Sequence, residues 1–138
     1  MMGTESKKRI LIVDDEPEIT LLFNMALDGF IVDSFNDPLL ALSKFKKDSY
    51  DLVILDIVMP KMTGFELYSR IREIDEGVGV CFLTGLNDLK NYEEVRKIRE
   101  QEGYNNIIEK DLFIQKPVQN KEIINHINKM INSQQADI

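Results

Sequence analysis

Five short apolar segments recur along the chain, and each ends abruptly at polar residues. Runs of Val, Ile and Leu without polar alternation are typical of strands buried on both faces of a parallel sheet. We therefore predict five strands, of which the second has the weakest apolar character and is expected at an edge. The predicted strands are Arg9–Val13, Phe30–Ser34, Asp51–Leu55, Gly79–Leu83 and Leu112–Ile114.

Apolar residues at helical spacing fill the intervals between these strands. Pro17 suits the first turn of a helix, Gly29 ends that helix, and Asp37 before a proline starts the next one. The residues expected on the buried sides of the second to fifth helices are Leu39, Leu42 and Phe45; Phe65, Tyr68 and Ile71; Tyr92, Val95 and Ile98; and Ile123, Ile127 and Met130.

Strand and helix alternate five times, which predicts an α/β fold with helices on both faces of a parallel sheet. Right-handed crossovers leave few strand orders, and the flavodoxin-like doubly wound order 2-1-3-4-5 is the obvious candidate. A chain of 138 residues fits one such domain. We expect the domain to span residues 9–132, between a flexible N-terminus (1–8) and a polar tail (133–138).

Composition narrows the class of protein. The net charge of −7 argues against direct DNA binding, which needs a basic face to displace counterions. Cys81 is the single cysteine, so an internal disulfide is excluded and a reducing compartment is favoured. No apolar run approaches the ~18 residues of a membrane span. These features predict a cytoplasmic domain that contacts neither membrane nor DNA directly.

Polar residues stand at the ends of four predicted strands, and in a parallel sheet these ends share one edge. Asp14 and Asp15 follow the first strand, Asp56 ends the third, Thr84 the fourth and Lys116 the fifth. Three carboxylates in one crevice repel one another and need a cation. Oxygen ligands without a nearby His or Cys favour Mg²⁺, with Mn²⁺ as an alternative, over Zn²⁺.

A hydroxyl and an ammonium at the same edge match the equatorial oxygens of a transferring phosphoryl group. A carboxylate can itself be the nucleophile and form an aspartyl-phosphate. The pattern therefore predicts phosphoryl transfer onto an aspartate. Asp56, which interrupts a buried apolar strand, is the candidate acceptor.

Four motifs follow one another in the order VDDEP (Val13–Pro17), LDIVMPKMTGFEL (Leu55–Leu67), LTG (Leu83–Gly85) and FIQKP (Phe113–Pro117). Together they resemble the receiver domain of two-component response regulators, and the chemotaxis regulators among them. The resemblance extends over almost the whole chain, from about residue 9 to residue 131.

The resemblance implies a role for each site residue. Asp56 would accept a phosphoryl group from a sensor histidine kinase or a phosphotransfer protein. Asp14, Asp15 and Asp56 would hold Mg²⁺ together with the backbone carbonyl of Val58. Thr84 would bond the phosphoryl group after moving towards it.

The same resemblance implies a conformational switch. Lys116 would contact the phosphoryl group and would be joined to Pro117 by a cis peptide bond. Phe113 would turn inward as Thr84 moves. The face made by the fourth helix, fifth strand and fifth helix, roughly Asp88 to Ile131, would then change shape and bind a downstream protein.

Such a protein is a signalling switch rather than an enzyme, apart from its own phosphorylation and dephosphorylation, and we expect a monomer or weak dimer. Val58 and Leu86 occupy positions that tune hydrolysis in this family. Because neither side chain can orient a water molecule, the phosphorylated form is expected to be long-lived. The chain departs from the family pattern by about ten extra residues before Lys116, which we assign to residues 101–111.

Other interpretations of these residues stay open at this point. Asp14 and Asp15 would also suit a turn and helix cap, and Phe113 an ordinary core position. Thr84 would also suit a plain turn, and Lys116 a solvated surface. Two other functions are a receiver-like scaffold with vestigial phosphorylation and a phosphohydrolase with an aspartyl nucleophile. The second usually has another acid two residues after the nucleophile, where this chain has Val58.

Overall fold

The computed structural model describes residues 7–84, 113–115, 123–125, 127–129 and 131, with 84 and 113–115 described by their backbone alone. The strands are β1 (Arg9–Val13), β2 (Ile31–Phe35), β3 (Leu52–Asp56), β4 (Gly79–Thr84) and β5 (Phe113–Gln115). The helices are α1 (Pro17–Ala26), α2 (Pro38–Lys44) and α3 (Gly64–Ile74). Residues 123–125, 127–129 and 131 are also helical.

The strands form a parallel sheet whose first four members have the order β2-β1-β3-β4, as predicted. β2 lies at one edge, which fits its weaker apolar character. Three residue pairs, from Phe82–Phe113 to Thr84–Gln115, join β5 to β4 in parallel. The fold is of the flavodoxin-like type, so the carboxyl ends of its strands share one edge.

Successive side chains of each strand enter two separate hydrophobic layers, because they point to opposite faces of the sheet. In β1, Leu11 and Val13 pack in the layer that contains residues of α2 and α3. Ile10 and Ile12 pack in the other layer, with residues of α1 and the helical residues 123, 127 and 131. Helices therefore cover both faces of the sheet, as the continuous apolar strands predict.

The stripe predicted for α3 is confirmed, since Phe65, Tyr68 and Ile71 are all buried. Thr63 begins the helix by accepting a hydrogen bond from the backbone N–H of Glu66 on its side-chain oxygen, at 3.1 Å. That bond satisfies one of the amide groups left open at a helix N-terminus. The cap fixes where the chain turns from the end of β3 into the helix.

The prediction for α2 is wrong at Leu39, whose side chain is 48% exposed. Pro38 and Ala41 face the core, so Leu39, one position further round the helix, points outward. Phe45 is buried and Leu42 packs against the same core layer, as predicted.

Four strands differ by one residue from the prediction: β2, β3 and β5 each begin and end one residue later, and β4 ends one residue later. Phe30 stays outside β2 because its N–H bonds the carbonyl of Leu27 in the turn after α1. Register then pairs the five residues of β1, Arg9 to Val13, with Ile31 to Phe35.

Cys81 is fully buried in β4, and burial raises the pKa of its thiol. Within the described part of the chain, no helix is long and apolar enough to cross a membrane. The predicted fourth helix, the surplus at 101–111, and Met130 lie outside the described residues.

Candidate metal centre

Four acidic side chains meet at the carboxyl edge of the sheet. Asp14, Asp15, Glu16 and Asp56 each offer one carboxylate oxygen, and these four atoms all lie within 4.8 Å of one another. The sheet register explains the meeting, because Val13 of β1 is paired with Leu55 of β3. Asp14 and Asp56 are the next residues of these two neighbouring parallel strands, so they emerge at the same edge.

The four carboxylates differ in their access to solvent. Asp14 has no exposed surface and Asp56 is 5% exposed, whereas Asp15 is half-buried and Glu16 is exposed. Two nearly buried carboxylates at this distance repel each other strongly, because the surrounding protein screens charge less than water does. The arrangement is costly without a cation and favourable with one.

The loop after β1 is held by hydrogen bonds at both of its ends. The N–H of Asp14 donates to the carbonyl of Phe35 at 3.1 Å. The Oδ1 atom of Asp14 accepts a hydrogen bond from the N–H of Glu16 at 2.9 Å. The backbone carbonyl of Asp14 accepts one from the side-chain amide of Asn36 at 2.8 Å. Glu16, not an aspartate, stands at the start of α1, and no side chain caps that helix. Asp14 therefore makes a local turn, and the helix-cap interpretation of this pair is wrong.

The loop after β3 folds tightly back over the end of its own strand. The N–H of Gly64 donates to the carbonyl of Ile57 at 2.9 Å. A Cβ atom on Gly64 would lie 2.2 Å from the backbone oxygen of Asp56, which leaves room for glycine alone. Within this loop Lys61 has φ of 73°, and the Val58 side chain is 54% exposed.

An ion pair ties this second loop to the start of α2. Lys61 Nζ lies 3.1 Å from Asp37 Oδ2. Asp37 Oδ1 also accepts from the N–H of Leu39 at 2.9 Å, as expected of a helix cap. The hydrogen bond from Lys61 is the largest cause that lowers the pKa of the Asp37 carboxyl, and the bond from Leu39 adds to it.

The structure brings together the predicted acidic residues Asp14, Asp15 and Asp56. Thr84 is the last residue of β4, and its predecessor Leu83 pairs with Asp56, so the backbone at 84 lies at the same edge. The Thr84 and Phe113 side chains and the residues Lys116 and Pro117 lie outside what the structure describes, as does Leu86.

Three residues at the site have no counterpart in the prediction: Glu16, Asn36 and Lys61. Glu16 follows Asp14 and Asp15 directly in the sequence, so its carboxylate could have been predicted to join theirs. Asn36 and Lys61 touch partners 22 and 24 positions away, so no local pattern marks them.

The donor set fits a hard cation. All four clustered ligand atoms are carboxylate oxygens, the type that Mg²⁺ and Mn²⁺ prefer. The cluster is open to solvent on the side of Asp15 and Glu16. The site therefore suits a divalent ion that keeps part of its hydration shell.

Comparison with known proteins agrees with this geometry. The chain is 42% identical over 78 residues to the transcriptional regulatory protein TrcR of Mycobacterium tuberculosis, covering 55% of this chain and 30% of that protein. It is 28% identical to the response regulator receiver protein CpdR of Brucella abortus, covering 90% and 97% of the two chains. The chain spans about a third of the length of the transcriptional regulators it matches.

Among solved structures, a CheY-like response regulator receiver domain from Methanospirillum hungatei superposes with a TM-score of 0.78 at 26% identity. The superposition covers 96% of this chain and all of that one. Residues 10–128 match the family of response regulator receiver domains. The chain therefore belongs to the receiver domains of two-component response regulators and has their CheY-like fold.

Proposed function

We propose that this receiver accepts a phosphoryl group on Asp56 from the phosphohistidine of a sensor histidine kinase or phosphotransfer protein. A carboxylate oxygen of Asp56 attacks phosphorus, the phosphorus–nitrogen bond breaks, and the imidazole leaves with the bonding electron pair. The observation that supports this assignment is the acidic cluster, in which the nearly buried Asp56 lies beside Asp14 and Asp15.

In this proposal Asp14 and Asp15 hold Mg²⁺ with Asp56 and the backbone carbonyl of Val58. Mn²⁺ would serve in its place because it accepts the same oxygen ligands. Bound metal supplies positive charge that offsets the repulsion between the carboxylates and the incoming phosphoryl oxygens. The fixed turn at Asp14 keeps one carboxylate in place before the metal arrives.

The remaining family roles are also proposals for this chain. Thr84 and Lys116 would bond the phosphoryl oxygens, with a cis bond between Lys116 and Pro117. Phe113 would turn inward with Thr84 and change the output face. That face would belong to a complete receiver of five strands and flanking helices over residues 9–132. The protein is then a switch whose chemistry is limited to its own phosphorylation and dephosphorylation.

The proposed partners are a kinase or phosphotransfer protein and one downstream protein. We propose no direct contact with DNA or a membrane. The protein itself would be a monomer or a weak dimer. Relatives of this receiver include the sensor protein EvgS of Escherichia coli and several transcriptional regulators, so the same domain type serves different assemblies. A cytoplasmic location is consistent with Cys81, the single cysteine of the chain, being a buried thiol and not part of a disulfide.

The test is phosphorylation by acetyl phosphate and Mg²⁺, followed by intact-mass spectrometry. Wild type is expected to gain one phosphoryl group, and Asp56→Asn none. Asp51→Asn is the matched control, because Asp51 adjoins the amino end of β3, the same strand that Asp56 ends. Labelling of Asp56→Asn at the wild-type level would refute the assignment.

Two further measurements separate the other functions. A scaffold with vestigial phosphorylation would bind neither Mg²⁺ nor beryllofluoride. A phosphohydrolase would release phosphate from small esters over many turnovers, which a switch does not do. Val58, 54% exposed two residues after Asp56, disfavours the phosphohydrolase because it cannot act as a general acid.

A further inference from the structure

The acidic cluster is divided between two loops that are distant in sequence. Asp14, Asp15 and Glu16 belong to the loop after β1, and Asp56 leads into the loop of residues 57–63 after β3. One short turn between β2 and α2, formed by Asn36 and Asp37, contacts both loops. This Asn36–Asp37 turn contributes no atom to the cluster itself.

Asn36 holds the first loop by its backbone. Its amide nitrogen donates to the carbonyl of Asp14 at 2.8 Å and to the hydroxyl of Thr20 at 3.1 Å. Thr20 is buried in the first turns of α1, and its hydroxyl donates in turn to the carbonyl of Pro17 at 3.0 Å. Asn36 therefore links the acidic loop to the helix that follows it.

Asp37 holds the second loop through a side chain. One carboxylate oxygen caps α2, and the other bonds the ammonium of Lys61 at 3.1 Å. Lys61 is the residue at which the second loop adopts a φ of 73°, a conformation that L-residues other than glycine rarely take. The ion pair favours the folded form of this loop at its strained position.

We propose that the Asn36–Asp37 turn positions the two metal-binding loops relative to each other, so that Asn36 and Lys61 are positioning residues for the Mg²⁺ site. The inference rests on the proposed function, since it concerns the same metal. Ligands held in place before the metal arrives lose less conformational entropy on binding, and groups behind the ligands commonly tune metal affinity in this way.

Electrostatics and positioning predict opposite results for two substitutions. Asn36→Asp adds a negative charge near the acidic cluster, and Lys61→Met removes a positive one. Either change would tighten Mg²⁺ binding if only charge mattered. If positioning matters, both substitutions should weaken Mg²⁺ binding. The Asn36→Asp carboxylate cannot donate to the Asp14 carbonyl, and the Lys61→Met side chain cannot pair with Asp37.

The experiment is calorimetric titration of Mg²⁺ into the full chain at fixed ionic strength. Asn36→Asp is expected to raise the Kd for Mg²⁺ about three- to tenfold, which corresponds to the free energy of one lost hydrogen bond. Lys61→Met is expected to raise Kd about two- to threefold, since both partners of this ion pair are partly exposed. Thermal unfolding of each variant verifies that the titrated protein is folded.

Matched controls carry the same chemical changes away from the turn. Asn128→Asp makes the same change at an exposed helical position. Lys47→Met lies in the exposed segment after α2. Neither control is expected to raise Kd.

Hydrogen exchange of the metal-free protein supplies a second readout. Asn36→Asp is expected to speed exchange at residues 14–16, and Lys61→Met at residues 57–63. Unchanged or tighter Mg²⁺ binding in both variants, with wild type binding normally, would overturn the positioning role and leave the proposed function intact. If wild type itself binds no Mg²⁺, both fail together.

Discussion

At position 64 the space that a side chain would need is already filled by the backbone of Asp56. Gly64→Ala forces the loop after β3 to shift, because its Cβ would lie 2.2 Å from the Asp56 oxygen. We expect a loss of about 1–3 kcal/mol in the free energy of unfolding, measured by urea denaturation. Mg²⁺ affinity should fall as well, since the displaced backbone belongs to Asp56, the proposed phosphoryl acceptor.

Gly29→Ala is the matched control for that substitution. No atom lies within 4 Å of the Cβ that alanine would add there. Its free energy of unfolding should change by less than about 1 kcal/mol. Equal effects of the two substitutions would show that the close approach at Gly64 carries no particular cost.

The Val58 side chain leads us to expect a long-lived phosphorylated form. This side chain is apolar and 54% exposed, two residues after the proposed acceptor, so it cannot orient an attacking water. Wild-type aspartyl-phosphate should persist well beyond seconds in purified protein. Val58→Asn should shorten that lifetime about tenfold, as measured by decay of the phosphorylated mass. A wild-type half-life of seconds would contradict the prediction.

Individual residues show which parts of the site can be predicted from the sequence. The proximity of Asp14, Asp15 and Asp56 could be predicted because strand order alone places them at one edge of the sheet. Asn36 and Lys61 could not, because their partners depend on how two irregular loops fold in space. Loop backbone geometry, such as the φ of 73° at Lys61, is not encoded in hydrophobic spacing.

At the scale of elements, α3 offers a test of how burial stabilises the fold. Ile71 is fully buried against the sheet, while Ile74 in the same helix is 38% exposed. Ile71→Ala should cost about 2–5 kcal/mol, because it leaves a cavity in a closely packed layer. Ile74→Ala should cost less than half as much in the same urea experiment. Similar costs would indicate that α3 is held by something other than its buried stripe.

The elements differ in how well the sequence predicts them. β1, β3 and β4 are continuous apolar runs, and the prediction located them to within one residue. α2 is short, and its apolar residues are adjacent, so spacing alone could not decide between Leu39 and Ala41 as the inward residue. The choice depends on the angle at which Pro38 starts the helix against the sheet.

At the scale of the whole molecule, we expect the acidic cluster to couple stability to metal binding. Mg²⁺ at a hundred times its Kd should add about 2.7 kcal/mol to the free energy of unfolding and raise Tm by about 10 °C. Chelation by EDTA should reverse the increase. The measurement is thermal unfolding followed by circular dichroism.

Asp56→Asn removes one of the repelling charges. It should therefore raise Tm in EDTA and reduce the increase that Mg²⁺ produces. Asp51→Asn, which alters a residue beside the amino end of the same strand, should leave the metal-induced increase unchanged. A Tm for Asp56→Asn below that of wild type in EDTA would show that carboxylate repulsion does not weaken the metal-free fold.

Cys81 gives this molecule an internal reporter of sheet opening. Its sulfur is enclosed between β4 and the helical layer that contains Ile123 and Ile127, and only an ionised thiol reacts quickly with alkylating reagents. A maleimide can reach it only when the strand separates from that layer. When alkylation is faster than reclosing, the labelling rate equals the opening rate of the native protein, and no engineered probe is needed.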